Sequence, residues 1–528
     1  MAKKIREIIL SCLVLSIFAG IFSGCGTSVT SGEAALPEVS GTITEEAEYY
    51  KADNVFSLNC NKEYSFNPFT TTNASNIICT QAMYDTLFSV DENFAATPNL
   101  VKSFKSDDGM SWYFYVDTSV KFWDGTTLTA TDASYSLQRA MHSPQFKTRF
   151  QCIFGVSAMD ESLFIVTLNY PDMQFPALLD IPVIKNGTVE DYAPLGTGPY
   201  MPDEQYTKLS AFPDYRNYSS LPVDTIYLKE IKETEDVITA FENSEIDLVA
   251  NDPTGVYSLG YGSANEIRSC PTTNMHYLGF RSSSQFFINP NCRKAMTYVI
   301  DREHIVTDYL EGAASAATLP MNPTSALYND AYSDIISYSV KKSEAAFDAA
   351  EVQDYDDDGK REQMVTGIPV EISINFIVCS DSPVKVQAAQ SIAENLTNLG
   401  ITVDLRLLSW YEYTAALAAG DFDMYYAEVR LTNDFSIRSL LFEGGSLNYG
   451  LFSDSVLEQY VNDYMVCPEE GRQKAADMMF KYITDTAPIV PICFEKSQVI
   501  THRGVVSGMK PTKDNVFNGI EDWEINTD

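Results

Sequence analysis

The chain has 528 residues, and 72 acidic against 36 basic side chains give it a formal charge of −36 and a pI near 4.3. A content of 45% hydrophobic and 12% aromatic residues excludes a disordered or collagen-like chain, and the length suits about three to five compact units. The acidic excess repels phosphate groups, which excludes nucleic acid as the main partner and indicates a soluble, non-sticky surface.

The N-terminus resembles the signal peptide of a bacterial lipoprotein. Three basic residues precede an apolar run over 8–22, which is shorter than the about 20 residues that a bilayer span requires but suits a signal peptide. Small residues then lead into Cys25, so the resemblance implies removal of residues 1–24 and a lipid on Cys25. The alternative is an ordinary secretory signal with a chance cysteine. We therefore expect an extracellular protein anchored by lipid to the cell membrane.

Residues 25–49 are rich in Ser, Thr, Gly, Glu and Ala and show no hydrophobic period. Such a composition buries no core, so the sequence predicts a flexible tether between the lipid and the folded body. A dedicated binding tail is the alternative. No later segment reaches membrane-spanning length without charges.

The folded body alternates predicted helices and strands. The first elements are a strand over 112–124, a helix opened by the capping box at Thr129, a strand over 162–170 and a helix over 236–241. Those that follow are a helix over 293–306, a helix over 384–399 ending at Gly400, a strand over 401–407, a helix over 413–419 ending at Gly420, and a strand over 422–429. A helix, a glycine and a strand in repeated order are typical of an α/β sheet.

Cysteine and histidine spacing argues against metal or redox chemistry of the common kinds. The eight cysteines after Cys25 form no C-x-x-C pair, which disfavours a zinc knuckle or a redox dithiol. The four histidines show no ligand spacing, which disfavours a histidine-based zinc site. No cofactor is indicated, and disulfide pairing stays open because eight cysteines allow 105 pairings.

Three ordered groups of motifs span the body. The first is YDTL at 84–87, PNL at 98–100, DGMSW at 108–112, VKFWDG at 120–125 and LTATDA at 128–133; the second is GTGPY at 196–200 with RNY at 216–218; the third is RKAM at 293–296 with IDRE at 300–303 and Gly312. Their order and spacing resemble the extracellular solute-binding proteins of family 5, the peptide- and nickel-binding group that serves ABC importers. The resemblance covers nearly all of residues 50–525.

This resemblance implies an α/β fold of the two-lobed periplasmic-binding-protein type (class II), with an extra family-specific domain. By analogy with the family, lobe I comprises 50–70, 195–272 and 486–528, the extra domain 71–194, and lobe II 273–485. The implied protein is a monomer and not an enzyme. It captures a small solute, most suitably a short peptide, between its lobes and delivers it to a membrane permease.

The resemblance also indicates a site for the ligand's charges. Peptide-binding members carry a carboxylate for the ligand's amino group in an Ala-Asp-Tyr segment after a strand of the second lobe. Here that segment reads Ala427-Glu428-Val429-Arg430, so the charge is kept on a longer side chain and the tyrosine is lost. In one interpretation Glu428 binds an ammonium group and Arg430 a carboxylate. In the other, the two neutralise each other structurally.

Five further residues are candidate ligand contacts. Trp410 and Tyr411 follow a predicted strand, where aromatic walls suit a cleft, although core packing is an equal alternative. Asn448 lies in a glycine-rich loop able to approach a ligand. Asn67 and Asn73 lie where family members run a loop along the cleft, and ordinary polar loops are the alternative.

An acidic loop offers a weak candidate metal site. Asp354, Asp356 and Asp358 occupy positions 1, 3 and 5 of a calcium loop, followed by glycine at position 6. Position 12 is Val365, which lacks the usual bidentate acid. A solvated acidic loop is therefore the default interpretation.

Other functions are less well supported by the sequence. A secreted hydrolase would need a constructed site, yet the sequence has no G-x-S-x-G or H-E-x-x-H motif. An adhesin is disfavoured by the absence of internal repeats. Within the binding class, an oligosaccharide, a signalling peptide or a nickel chelate remains open, and a nickel chelate would implicate His276 or His502.

Overall fold

The computed structural model describes residues 55–251, 253 and 264–526. All of these belong to one compact unit, Glu48–Asp528. The predicted signal peptide, Cys25 and the whole predicted tether lie outside the described residues. Within the described ranges, no helix combines the length and apolarity needed to cross a membrane, and the eight cysteines carry no disulfide.

The first sheet is mixed and four-stranded, with the order Phe56–Cys60, Thr225–Glu230, Lys208–Ala211 and Tyr200–Pro202. Its first pair is parallel and the other pairs are antiparallel. All five residues of the first strand are buried, as is typical of a strand covered on both faces. Helix Ala74–Met83 packs on this strand and so brings its side chains to the cavity described below.

The second sheet is antiparallel, with the order Val101–Lys105, Ser111–Val116, Leu163–Leu168 and Ile153–Ala158. Helix Ala130–Ala140 packs against it and begins at the predicted capping box of Thr129 and Asp132. The strand predicted over 112–124 ends at Val116 because Asp117 accepts hydrogen bonds from the backbone and side chain of Ser119 and turns the chain.

The third sheet has seven strands. Its order is Leu248–Asn251, Ile489–His502, Asn265–Phe280, Met424–Arg430, Ser373–Cys379 and Thr402–Leu408, with Ala314–Ala316 also paired to Ile489–His502. Helix Pro383–Asn398 connects two parallel strands of this sheet and is followed by Gly400 at φ +82°. Side chains of Met424–Arg430 alternate between two hydrophobic clusters, so the sheet separates two cores.

Two helices differ from their predicted bounds for local reasons. Helix Trp410–Ala419 begins three residues early because Ser409 and Glu412 form a capping box. The helix predicted over 293–306 is divided, because Asp301 accepts a hydrogen bond from the His304 amide and caps a new turn.

The remaining helices and small sheets complete the fold. The other helices are Thr234–Glu242, Pro290–Val299, Arg302–His304, Asp330–Ile335, Val340–Ala349, Arg438–Leu441, Ser455–Met465 and Glu469–Thr486, with tighter or wider turns at Phe175–Leu178, Tyr218–Ser220, Ile305–Tyr309 and Ile520–Asp522. Small sheets are formed by Phe88–Val90 with Ala96–Pro98, by Val352–Gln353, Glu362–Val365 and Ile368–Glu371, and by Val506–Ser507 with Glu524–Ile525.

Contacts between the second sheet's region and the third sheet's region border the candidate site. The rings of Phe94 and Phe435 pack edge to face with centroids 4.8 Å apart. The Met173 amide donates a hydrogen bond to the Met465 carbonyl at 2.8 Å. Residues near 90 and 175 are therefore held against residues near 435 and 465.

Candidate ligand-binding site

A cavity of about 320 Å³, partly open to solvent, lies beside helix Ala74–Met83. The helix begins at Asn73, whose side chain accepts a hydrogen bond from the Asn76 amide. The cavity is lined by Pro68, Ile77, Thr80, Gln81, Tyr84, Thr86, Gln145, Phe146, Arg149, Asp180, Pro182, Arg430, Lys513, Asp514 and Asn515. These side chains come from five separate segments of the chain, which only the tertiary fold brings together.

Five charged side chains form one network on the cavity wall. Arg149 pairs with Asp180, and Lys513 pairs with Asp514. Asp514 also lies 3.1 Å from a guanidinium nitrogen of Arg430 and 3.8 Å from one of Arg149. Three cations against two carboxylates give the wall a formal excess of positive charge, which suits an anionic group on a ligand.

Burial and neighbouring charge set the protonation of this network. Burial alone would raise the pKa of Asp514, but Lys513, Arg149 and Arg430 hold it well below its usual range. Burial raises the pKa of Asp180 to about 6, although Arg149 opposes the shift. At a pH near 6, Asp180 is therefore partly protonated, whereas the carboxylate of Asp514 stays charged.

Arg430 is the most accessible cation of the network, since its side chain is 63% exposed whereas that of Arg149 is 11% exposed. A guanidinium offers several donors in a planar fork that matches a carboxylate. Arg430 is therefore well placed to exchange Asp514 for a ligand carboxylate.

Glu428 lies two residues before Arg430 on the same strand, and the two side chains therefore lie on the same face of the sheet. The Lys385 ammonium lies 2.6 Å from Oε2 of Glu428. Glu428 thus pairs with Lys385, and Arg430 pairs with Asp514. The described contacts show no pairing of Glu428 with Arg430.

A buried histidine lies beside Glu428 because three neighbouring strands align their residues. His276 is opposite Glu428 on one side and opposite Cys493 on the other. Its Nε2 is 2.8 Å from Oε1 of Glu495, and its Nδ1 is 3.0 Å from the Tyr426 hydroxyl. Burial disfavours the charged imidazole, but Cys493 and Glu495 outweigh it and raise the pKa of His276 to about 10.

The other predicted contact residues lie away from the cavity wall. Trp410 and Tyr411 are 62% and 82% exposed at the start of their helix. Asn448 donates to two carbonyls of its own loop. Asn67 donates to the Val189 carbonyl, and Asn73 caps a helix. Of the seven predicted residues, the structure brings Arg430 to the cavity wall, and the ligand roles of all seven stay predictions.

Sequence reasoning missed four members of the charged network. Arg149, Asp180, Lys513 and Asp514 belong to none of the quoted motifs and come from three distant segments of the chain. The adjacent charges of Lys513 and Asp514, in a loop after proline, could have indicated a charged site. Such pairs are common on solvated surfaces, however, so they carry little information.

The acidic loop brings four carboxylates together, with Glu362 at position 9 of the calcium-loop pattern. Ligand atoms of Asp354, Asp356, Asp358 and Glu362 all lie within 4.8 Å of one another. Asp354 also accepts hydrogen bonds from the Asp358 and Gly359 amides, which satisfy it in the way of an ordinary acidic turn. Calcium binding at this loop stays a prediction. His502, the other histidine considered for nickel, stacks on Phe241 at 4.1 Å.

Comparison with known proteins identifies relatives over most of the chain. The family model described as "Bacterial extracellular solute-binding proteins, family 5 Middle" matches residues 95–435. The oligopeptide-binding protein AppA of Bacillus subtilis is 24% identical over 438 residues, 77% of each chain. Heme-binding protein A of Haemophilus influenzae is 23% identical over 449 residues, 75% of this chain and 78% of its own.

Solved structures show the same fold. AppA of B. subtilis in complex with a nonapeptide aligns with a TM-score of 0.58 at 20% identity, over 90% of this chain and 100% of its own. NikZ of Campylobacter jejuni in complex with Ni(L-His) aligns with a TM-score of 0.62 at 18% identity, over 89% of this chain and 99% of its own. The predicted α/β periplasmic-binding-protein fold with an extra domain is confirmed.

Proposed function

Because the chain belongs to the bacterial extracellular solute-binding proteins of family 5, we propose that it captures a short peptide in the cavity beside Arg149 and Arg430 and delivers it to a membrane permease. The family comprises binding proteins of ABC transporters for peptides or related solutes, not enzymes. We further propose that a lipid on Cys25 anchors the protein at the extracellular face of the membrane.

The observation that carries this proposal is that two opposite charges, each paired elsewhere, lie on one strand face. Arg430 lies on the cavity wall with a positive excess around it, and Glu428 lies two residues away on the same side. Alternate residues of a strand are about 7 Å apart, and each peptide unit spans about 3.5 Å. The two charges are therefore spaced for the carboxylate and the ammonium group of a solute about two residues long.

Two further facts support a peptide. AppA, which has the same fold, has been solved in complex with a nonapeptide. The cavity, about 320 Å³ in volume, is at the lower end of ordinary small-molecule sites, which measure about 300–1,000 Å³, and so suits a short solute.

The test is a pair of matched titrations by calorimetry. Glu428→Gln should weaken the binding of a short peptide with a free amino terminus by about 1–3 kcal/mol, because the peptide's ammonium group loses a charged partner. The same substitution should leave an N-acetylated peptide unchanged, because that ligand carries no ammonium. Gln keeps the size of Glu, so equal affinity of the variant and the parent for the free peptide would contradict the assignment of Glu428.

A further inference from the structure

Lys385 already contacts Glu428, the carboxylate proposed above for the ligand's ammonium group. The Lys385 ammonium lies 2.6 Å from Oε2 of Glu428, and the two side chains are 21% and 29% exposed. A partly buried pair of this kind is screened less by water and salt than an exposed one. A ligand ammonium that approaches Oε2 therefore meets a protein ammonium at the same oxygen.

The formal charges around Glu428 are already balanced. His276 lies 2.8 Å from Glu495 and 4.0 Å from Oε2 of Glu428. Burial opposes the charged imidazole, but Cys493 and Glu495 raise the pKa of His276 to about 10, so this side chain is a cation at pH 7. His276 and Lys385 thus face Glu428 and Glu495, and their four charges sum to zero. A further ammonium group would add an uncompensated positive charge unless one of the two cations left.

Of these two cations, Lys385 is the one that can leave. It lies in the first turn of helix Pro383–Asn398, whose N-cap is Ser382, and the helix dipole disfavours a positive charge there. Its side chain is 21% exposed, whereas that of His276 is 1% exposed and is held by a hydrogen bond to Glu495. A long lysine side chain near solvent can turn its ammonium group into water while its methylene groups stay packed.

We propose that Lys385 is a specificity-determining residue: its ammonium takes the place on Glu428 that a ligand ammonium would take, and a solute with a free amino group has to displace it. The inference rests on the proposed function, since it takes Glu428 as the contact for the ligand's ammonium group. A solute whose amino group is blocked leaves the pair of Lys385 and Glu428 intact. Lys385 therefore lowers the preference of the site for solutes with a free amino group.

The test is calorimetric titration of the full chain, purified in detergent, with dialanine and separately with N-acetyl-dialanine. We expect Lys385→Met to bind dialanine about three- to tenfold more tightly than the parent, because the peptide's ammonium group no longer has to break an ion pair. The same substitution should leave the affinity for N-acetyl-dialanine unchanged. Lys385→Arg keeps the charge and should bind dialanine as the parent does.

The matched control is Lys294→Met. Lys294 also extends from a helix and pairs with a carboxylate, that of Asp485 at 3.0 Å, in another part of the chain, so its loss should change neither affinity. A double variant of Lys385→Met and Glu428→Gln should lose the gain, because it lacks the carboxylate that the peptide's ammonium group would bind.

Circular dichroism and melting temperature show whether each variant is folded, and Lys385→Gln provides the same comparison if Lys385→Met does not fold. Unchanged or weaker binding of dialanine by the folded variant would overturn the inference and leave the proposed function standing. An equal gain for the two peptides, or the same gain in Lys294→Met, would also overturn it. Binding of neither peptide by the parent or by the variant would contradict both proposals, so the two failures are distinguishable.

Discussion

At the scale of single residues, the cavity wall depends on Asp514. This one carboxylate faces Lys513, Arg149 and Arg430, and these cations hold its pKa below the usual range against the effect of burial. A cationic wall of this density would be self-repelling without it. Under the proposed function, a ligand carboxylate would replace Asp514 at Arg430, and Asp514 would stay beside Arg149 and Lys513.

Asp514→Asn should therefore lower the free energy of unfolding by about 3–5 kcal/mol at pH 7, because removing one partner leaves buried cations unpaired. The folded-state pKa is depressed, so the stabilisation is present above the unfolded pKa near 4 and is lost as pH falls below it. Urea unfolding from pH 7 to pH 2 should show the difference between the parent and the variant shrinking with acid.

The matched control is Asp214→Asn, whose partner Lys121 is about as exposed as Asp214 itself. Such surface pairs contribute about 0–1 kcal/mol, so this variant should unfold nearly like the parent. A difference for Asp514→Asn that stays constant down to pH 2 would show that its charge is not the cause.

The candidate site illustrates what sequence can and cannot show at this scale. Glu428 and Arg430 were singled out because their segment resembles the Ala-Asp-Tyr segment of peptide-binding family members, which is a local sequence match. Arg149 and Asp514 were missed because they are 365 positions apart and meet only through the fold. The partners of Glu428 were likewise missed, because Lys385 belongs to a helix whose packing no local pattern specifies.

At the scale of elements, capping residues and glycines predicted where helices begin and end better than hydrophobic spacing predicted whether a helix continues. The capping box at Thr129 and the glycine after the helix at Gly420 both act as predicted, because each depends on residues within one turn. The helix predicted over 293–306 continued through Asp301 because apolar spacing continues there, whereas the structure uses Asp301 as a cap. Competing local hydrogen bonds of this kind are invisible to a hydrophobic pattern.

The backbone of the segment GTGPY, residues 196–200, packs closely against the end of helix Ala74–Met83. A Cβ on Gly198 would lie 2.3 Å from the Met83 carbonyl oxygen at the end of helix Ala74–Met83. This helix lines the cavity, so the glycine positions a wall of the site. Gly196 and Gly198 of this segment thus have a packing reason.

Gly198→Ala should lower the free energy of unfolding by about 1–3 kcal/mol, because backbone atoms must shift to admit the methyl group. It should also weaken solute binding through displacement of helix Ala74–Met83. Gly155→Ala is the control, since a Cβ there meets nothing within 4 Å. Denaturant unfolding that ranks the two variants equally would contradict the packing argument.

At the scale of the whole molecule, a buried carboxyl pair joins two regions that flank the cavity. Asp172 and Asp434 are hydrogen-bonded to each other, and burial together with their mutual repulsion raises the pKa of Asp172 well above its usual range. Burial also raises the pKa of Asp434, although Thr432 and Ser436 donate hydrogen bonds that lower it. Arg472 attracts Asp172 but does not reverse the shift.

Asp434→Asn should stabilise the protein by about 1–3 kcal/mol at pH 7 to 8. In the parent, the hydrogen bond between the two carboxyl groups requires a proton from solution, whereas the Asn amide donates to Asp172 without one. A raised folded-state pKa gives stability that is full below the unfolded pKa near 4 and is lost as pH rises. The gain should therefore vanish near pH 4 in urea unfolding. A gain that is equal at both pH values would exclude the shared proton as its cause.

The central claim, that this binding protein captures short peptides, is tested most directly by native mass spectrometry of Glu48–Asp528 purified without denaturation. We expect a ladder of added masses that matches short peptides, and we expect Arg430→Ala to reduce it, because the ligand carboxylate loses an accessible guanidinium. A bare protein mass, or a single added mass that matches a sugar or a metal chelate, would contradict the claim.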